Sequence, residues 1–102
     1  MATGTIKNIS SQIYTLGARV DIAGYTDTTP YTVPSDGYFQ ITASNASTAT
    51  GRIASNDGSK SVVIAANSSI ASSVCFVKKG FKISKRTSSG TAYFEYFPIE
   101  AI

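Results

Sequence analysis

The sequence predicts an all-β fold, an antiparallel β-sandwich or barrel of seven to eight short strands. Three observations carry that expectation. Ser and Thr make up 27 of the 102 residues, and Leu occurs once, at Leu16, while Val, Ile, Tyr and Phe supply much of the apolar content. This is strand and turn composition with little helix-forming bias. Short extended runs are also separated by turn signals at intervals of roughly ten residues, the spacing of a sandwich or barrel. Finally, residues 93–99 hold four of the eleven aromatics in a segment that is apolar on both of its alternating faces.

Residues 3–13 place Ile6, Ile9 and Ile13 at spacings of three and four. The surrounding Thr, Ser and Asn disfavour a helix, so the expectation is an N-terminal arm or short strand. Residues 16–25 alternate, with Val20 and Ile22 inward and Arg19 and Asp21 outward, and 26–30 form a loop. Residues 31–33 are a short strand. Pro34-Ser35-Asp36-Gly37 follows as a turn, because Pro presets φ and Gly accepts a positive φ. Residues 38–43 alternate with Phe39, Ile41 and Ala43 on one face.

Residues 49–55 and 60–66 form a hairpin through Asn56-Asp57-Gly58. Residues 70–77 form an apolar strand containing a buried thiol, Cys75, and Lys78-Lys79-Gly80 turns the chain. Residues 81–85 are a strand with Phe81 and Ile83 inward. A Ser-Gly turn at 87–90 then leads into the last strand, 91–99.

In that last strand Phe94 and Tyr96 take one face, and Tyr93, Phe97 and Ile99 the other. A strand apolar on both faces is buried on both. One face enters the domain's own core; the other needs a second layer or a second copy of the chain. A domain of 102 residues buries roughly 65% of its unfolded surface, and oligomerisation is a common remedy for that modest core. Tyr93, Phe94, Glu95, Tyr96, Phe97 and Ile99 are therefore the candidate oligomer interface. Glu95 is its only charge and needs a partner, either within the chain near the strand's rim or on a neighbouring subunit.

Little in the sequence points to catalysis. There is no histidine and one cysteine, which removes His-dependent triads and the usual zinc sets. The six carboxylates are scattered, and Asp36 and Asp57 lie in turns. The eight glycines sit singly, with no phosphate-cradling loop. The expectation is a protein that is not an enzyme and takes no cofactor and no metal. Membrane insertion is not expected, since the longest apolar run is residues 62–66. The first residues show no signal core, which implies synthesis in a cytoplasm.

Five of the nine cations, Lys78, Lys79, Lys82, Lys85 and Arg86, fall within nine residues. They are either a solvated face that protects an edge strand or a contact with an anionic surface such as a polysaccharide. A net charge of +3 and the lack of a single-strand-binding aromatic motif argue against nucleic acid. Tyr14, Tyr25, Tyr31 and Tyr38 fall near loops and are either packing residues or stacking platforms for sugars.

Two segments together resemble a known family. Tyr31-Thr32-Val33-Pro34-Ser35-Asp36-Gly37-Tyr38 is similar to a strand-turn-strand of small phage virion domains. Phe76-Val77-Lys78-Lys79-Gly80-Phe81-Lys82-Ile83, with Gly90-Thr91-Ala92-Tyr93-Phe94 and Pro98, resembles their closing strands. The family is the trimeric jelly-roll head domain of bacteriophage head fibres, tail fibres and receptor-binding proteins, similar in outline to the tumour-necrosis-factor and C1q folds.

The resemblance covers residues 31–99. It implies a jelly-roll-like sandwich head domain at 31–102, preceded at 1–30 by an N-terminal arm and first strands that serve as an anchor. It further implies a homotrimer with an aromatic seam, phage capsid or tail proteins as partners, a host surface glycan as a contact, and residence in the virion after release by lysis. A capsid decoration protein without a receptor role and a free bacterial carbohydrate-binding lectin are the alternatives. No coiled-coil shaft precedes the matching region, which favours a short fibre over a long one.

Overall fold

A computed structural model describes residues 14–44, 46–69 and 71–101. The candidate arm residues Ile6, Ile9 and Ile13 lie outside them. The strands are β1 (Tyr14–Leu16), β2 (Val20–Asp21), β3 (Tyr31–Thr32), β4 (Gly37–Ala43), β5 (Thr48–Ala54), β6 (Ser61–Asn67), β7 (Ser72–Val77), β8 (Lys82–Ser89) and β9 (Ala92–Ala101). The described residues contain no helix.

The front sheet runs β1-β9-β4-β7, with β2 also on β9, and the back sheet runs β3-β8-β5-β6. Leu16 lies opposite Ile99 and Val20 opposite Tyr96. Thus β1 and β2 follow one another along the same edge of β9 and fill one position, which leaves four positions in each sheet. Every pairing is antiparallel. The pairs β2–β9, β3–β8, β4–β7 and β5–β6 are nested about the β5–β6 hairpin, and alternate pairs fall in opposite sheets. A long hairpin rolled up in this way is a jelly roll. The first strands expected within 1–30 are β1 and β2, so the sandwich begins before residue 31.

Alternation builds the core. β4 sends Phe39, Ile41 and Ala43 inward, β9 sends Phe94 and Tyr96, and β5 and β8 answer with Ala49, Ile53 and Ile83. At Gly51 a Cβ would sit 2.6 Å from Ile41 Cδ1 and 2.9 Å from the Phe39 ring. The back sheet can approach β4 this closely only without a side chain there.

The expected strand at 16–25 is broken into two short pieces. Gly17 lies against β9, where its N–H donates to Pro98 O at 2.6 Å. Pro34-Ser35-Asp36-Gly37 turns the chain as expected, but it joins β3 in the back sheet to β4 in the front sheet, so it is a crossover. Lys78-Lys79-Gly80 is the matching crossover from β7 to β8, with Gly80 at φ 92, where glycine is favoured.

These two crossovers lie side by side. Gly80 N–H donates to Val33 O and Val33 N–H to Phe81 O, each at 2.8 Å. Lys79 N–H donates to Asp36 Oδ1 at 2.8 Å. The Tyr96 hydroxyl, reaching up from the core, bonds the Ser35 carbonyl. Cys75, expected to be buried, is half-buried, because β7 is an edge strand whose inner face is only partly roofed.

Candidate functional site

The outer face of the front sheet is assembled from alternate residues of three strands. Tyr38 of β4 stands between Phe76 of β7 and Phe97 of β9, and the Tyr38 and Phe76 rings meet edge-on at 5.8 Å. The next row is Val74, Gln40 and Glu95, and the one after is Ser72, Thr42 and Tyr93. Leu16, opposite Ile99, extends the same face. At ordinary strand spacing these rows cover roughly 10 by 14 Å.

Among the described residues nothing packs over this face: Phe76 is 46% exposed, Val74 58% and Tyr93 54%. Phe76, Tyr38, Phe97 and Val74 adjoin as an apolar cluster, and Gln40, Glu95 and Thr42 separate Tyr93 from it. Of the residues expected at an interface, Tyr93, Glu95, Phe97 and Ile99 lie on this face. Phe94 and Tyr96 point the other way and are fully enclosed in the sandwich. Glu95 finds its partner within the chain, where Arg19 Nη1 donates to Glu95 Oε2 at 3.1 Å.

The sequence reading missed Tyr38, Val74 and Phe76 as members of this face. The signal was present, since Val74-Cys75-Phe76-Val77 is apolar on both faces just as 93–99 is. A local pattern does not say that β4, β7 and β9 are neighbours, and that adjacency is what makes one surface of them.

A second apolar surface lies on β6, an edge strand of the back sheet. Val62 and Val63 are successive and so point to opposite sides, yet they are 56% and 49% exposed. Val62 stands opposite buried Ile53, on the core side of its strand, where the front sheet does not reach over it. An apolar edge strand left open invites pairing or packing with another chain.

The five cations do not form one patch. Lys78 and Lys79 are exposed at the β7–β8 crossover. Lys82 Nζ donates to Asn56 O at 2.8 Å. Lys85 lies half-buried with Nζ 5.9 Å from the Phe94 ring centre. Arg86 pairs through Nε with Asp27 at 3.3 Å. Strand alternation divides what the sequence sets side by side, and only Lys85 and Arg86, at a bulge in β8, line a common depression.

Tyr25 and Tyr31 are packing residues. Their rings meet at 5.0 Å, and Tyr31 meets Tyr96 at 5.7 Å. Burial, and then the neighbouring Tyr96 and Tyr25, push the Tyr31 hydroxyl above the usual tyrosine pKa. Among the described residues no group of three or more His, Cys, Asp or Glu is placed to hold a metal ion. Compared with protein-family models, with curated proteins and with solved structures, the chain matches none.

Proposed function

We propose that this chain is a non-enzymatic structural protein of a bacteriophage or prophage virion. In this reading it is a homotrimeric short head or tail fibre, or receptor-binding protein, held to the particle by its first residues and displaying loops to the host surface. The observation that carries self-assembly is the exposed apolar cluster of Phe76, Tyr38, Phe97 and Val74 on the outer face of the front sheet. The open apolar edge at Val62 and Val63 supports it. Two unlike apolar surfaces on one chain suit a head-to-tail contact, which forms a ring when the rotation between copies closes. The jelly-roll topology is the fold that the phage-domain resemblance implies. Three copies per unit and many units per particle turn weak single-site contacts into firm attachment.

Light scattering at micromolar concentration tests the assembly. The expected mass is about three times the 10.7 kDa of one chain, and a monomer overturns the reading. Deleting residues 2–13 tests attachment. Particles assembled with the shortened chain are expected to lack it, and normal incorporation would show that the anchor lies elsewhere.

A further inference from the structure

Beside the β8 bulge, Ala23, Thr26, Asp27, Thr28, Lys85 and Arg86 line an open depression of about 300 Å³. Its construction follows from the short β3, which covers only Lys82 and Ile83 of β8. Beyond them the loop after β2 takes the place of a strand, and Lys85 N–H donates to Tyr25 O at 2.9 Å. The β8–β5 register passes from Lys85 opposite Gly51 to Thr87 opposite Thr50, so Arg86 is the extra residue. A bulge of this kind re-aims a side chain.

Asp27 is consumed in holding the depression together. Its Oδ1 accepts from the hydroxyl of buried Ser84 at 2.7 Å, and its Oδ2 from Arg86 Nε. Arg86 is thereby fixed through Nε while both of its Nη groups stay uncommitted among the described residues. Lys85, half-buried in the adjacent wall, has no carboxylate partner among the described residues, only the Phe94 ring. The Thr26 hydroxyl is linked to those of Thr28 and Thr29 at 3.1 and 2.9 Å, and Thr26 and Thr28 both belong to the lining. Two cations and one already-paired carboxylate leave the lining with an excess positive charge.

We propose that this depression binds the anionic group of an acidic saccharide, a carboxylate or phosphate borne on a sugar ring. Lys85 Nζ and the Arg86 Nη groups take the charged oxygens, where charge-assisted bonds are strongest. The threonine hydroxyls take ring hydroxyls beside it. Ala23 follows Ile22, whose N–H donates to Phe94 O, so the depression opens beside the Tyr93 end of the outer face and away from Phe76 on β7. The assignment deepens the display role proposed above and rests on it. Because the site lies within one protomer, its failure would leave self-assembly standing.

The test is an NMR titration of the whole chain with glucuronic acid, glucose 6-phosphate, glucose and inorganic phosphate, following the amides of Thr26, Thr28, Lys85 and Arg86. The two acidic sugars are expected to give saturable shifts at millimolar concentration, and glucose none. Lys85→Gln and Arg86→Gln, each checked for a native-like spectrum, are expected to weaken binding about tenfold. Phe76→Ser, on β7 at the opposite edge of the front sheet, is expected to leave it unchanged. Equal shifts with glucose, or binding that survives both substitutions, overturn the site. Inorganic phosphate binding as tightly as glucose 6-phosphate overturns the saccharide assignment.

Discussion

Tyr96 ties the interior of the sandwich to one of its crossovers. Its ring is enclosed in the core and its hydroxyl bonds the carbonyl of Ser35, with Ser35 Oγ 3.2 Å away. Tyr96→Phe keeps the ring and strands that carbonyl. Chemical denaturation is expected to show a loss of about 1–2 kcal/mol with an unchanged denaturant slope. The even-numbered aromatics of 93–99 were legible as one face from alternation alone, because strand geometry fixes which side chains share a side. Which face is the inner one was not legible. That depends on the side of β9 against which the back sheet packs, a fact of topology that no local pattern encodes. The cationic run divides in space for the same reason: Lys78 and Lys79 stand at the crossover, Lys82 bonds Asn56 O, and Lys85 and Arg86 share the depression beside the β8 bulge.

Among the elements, the β5–β6 hairpin is the most fully specified by its own residues. Asp57 accepts from the Ser59 N–H at 2.9 Å and from the Ser55 and Ser59 hydroxyls at 2.8 Å each. These bonds, the Ser59 backbone first, lower its carboxyl from 3.8 to about 2. A carboxyl lowered on folding contributes stability above its unfolded value and loses it as pH falls through its folded value. Asp57→Ala is therefore expected to melt below the parent at neutral pH, and the gap should close as pH falls from 3.8 toward 2. Thermal scans of both proteins across that window check it, and a gap that stays constant would show that the carboxylate charge is not the cause.

This hairpin was readable because its turn and both of its strands are consecutive in sequence. Pro34-Ser35-Asp36-Gly37 was readable as a turn but not as a crossover between sheets. Its backbone geometry is local, whereas its destination is set by distant parts of the chain: β3 pairs with β8, β4 with β7 and β9, and Asp36 accepts from Lys79 N–H in the other crossover.

For the molecule as a whole, the two apolar surfaces differ in kind, and that difference dictates how copies can join. One is the outer face of the front sheet; the other is the edge strand β6 of the back sheet. A two-fold dimer uses one patch against itself, whereas a patch that meets a different patch makes a head-to-tail contact, which gives a ring when its rotation closes and an open filament when it does not. Complementary variants separate the cases. Phe76→Asp spoils the face and leaves the edge intact, and Val63→Asp spoils the edge and leaves the face intact. Both positions are solvent-facing, so circular dichroism is expected to show native folding for each. In a head-to-tail ring each variant alone is monomeric at micromolar concentration. Mixed one to one, they should form a heterodimer of about twice the chain mass, because one intact face meets one intact edge and the remaining pair cannot close the ring. If the apolar face instead met its own kind, Val63→Asp would remain oligomeric by itself and mixing would add nothing. Sedimentation of the two variants and their mixture distinguishes these outcomes.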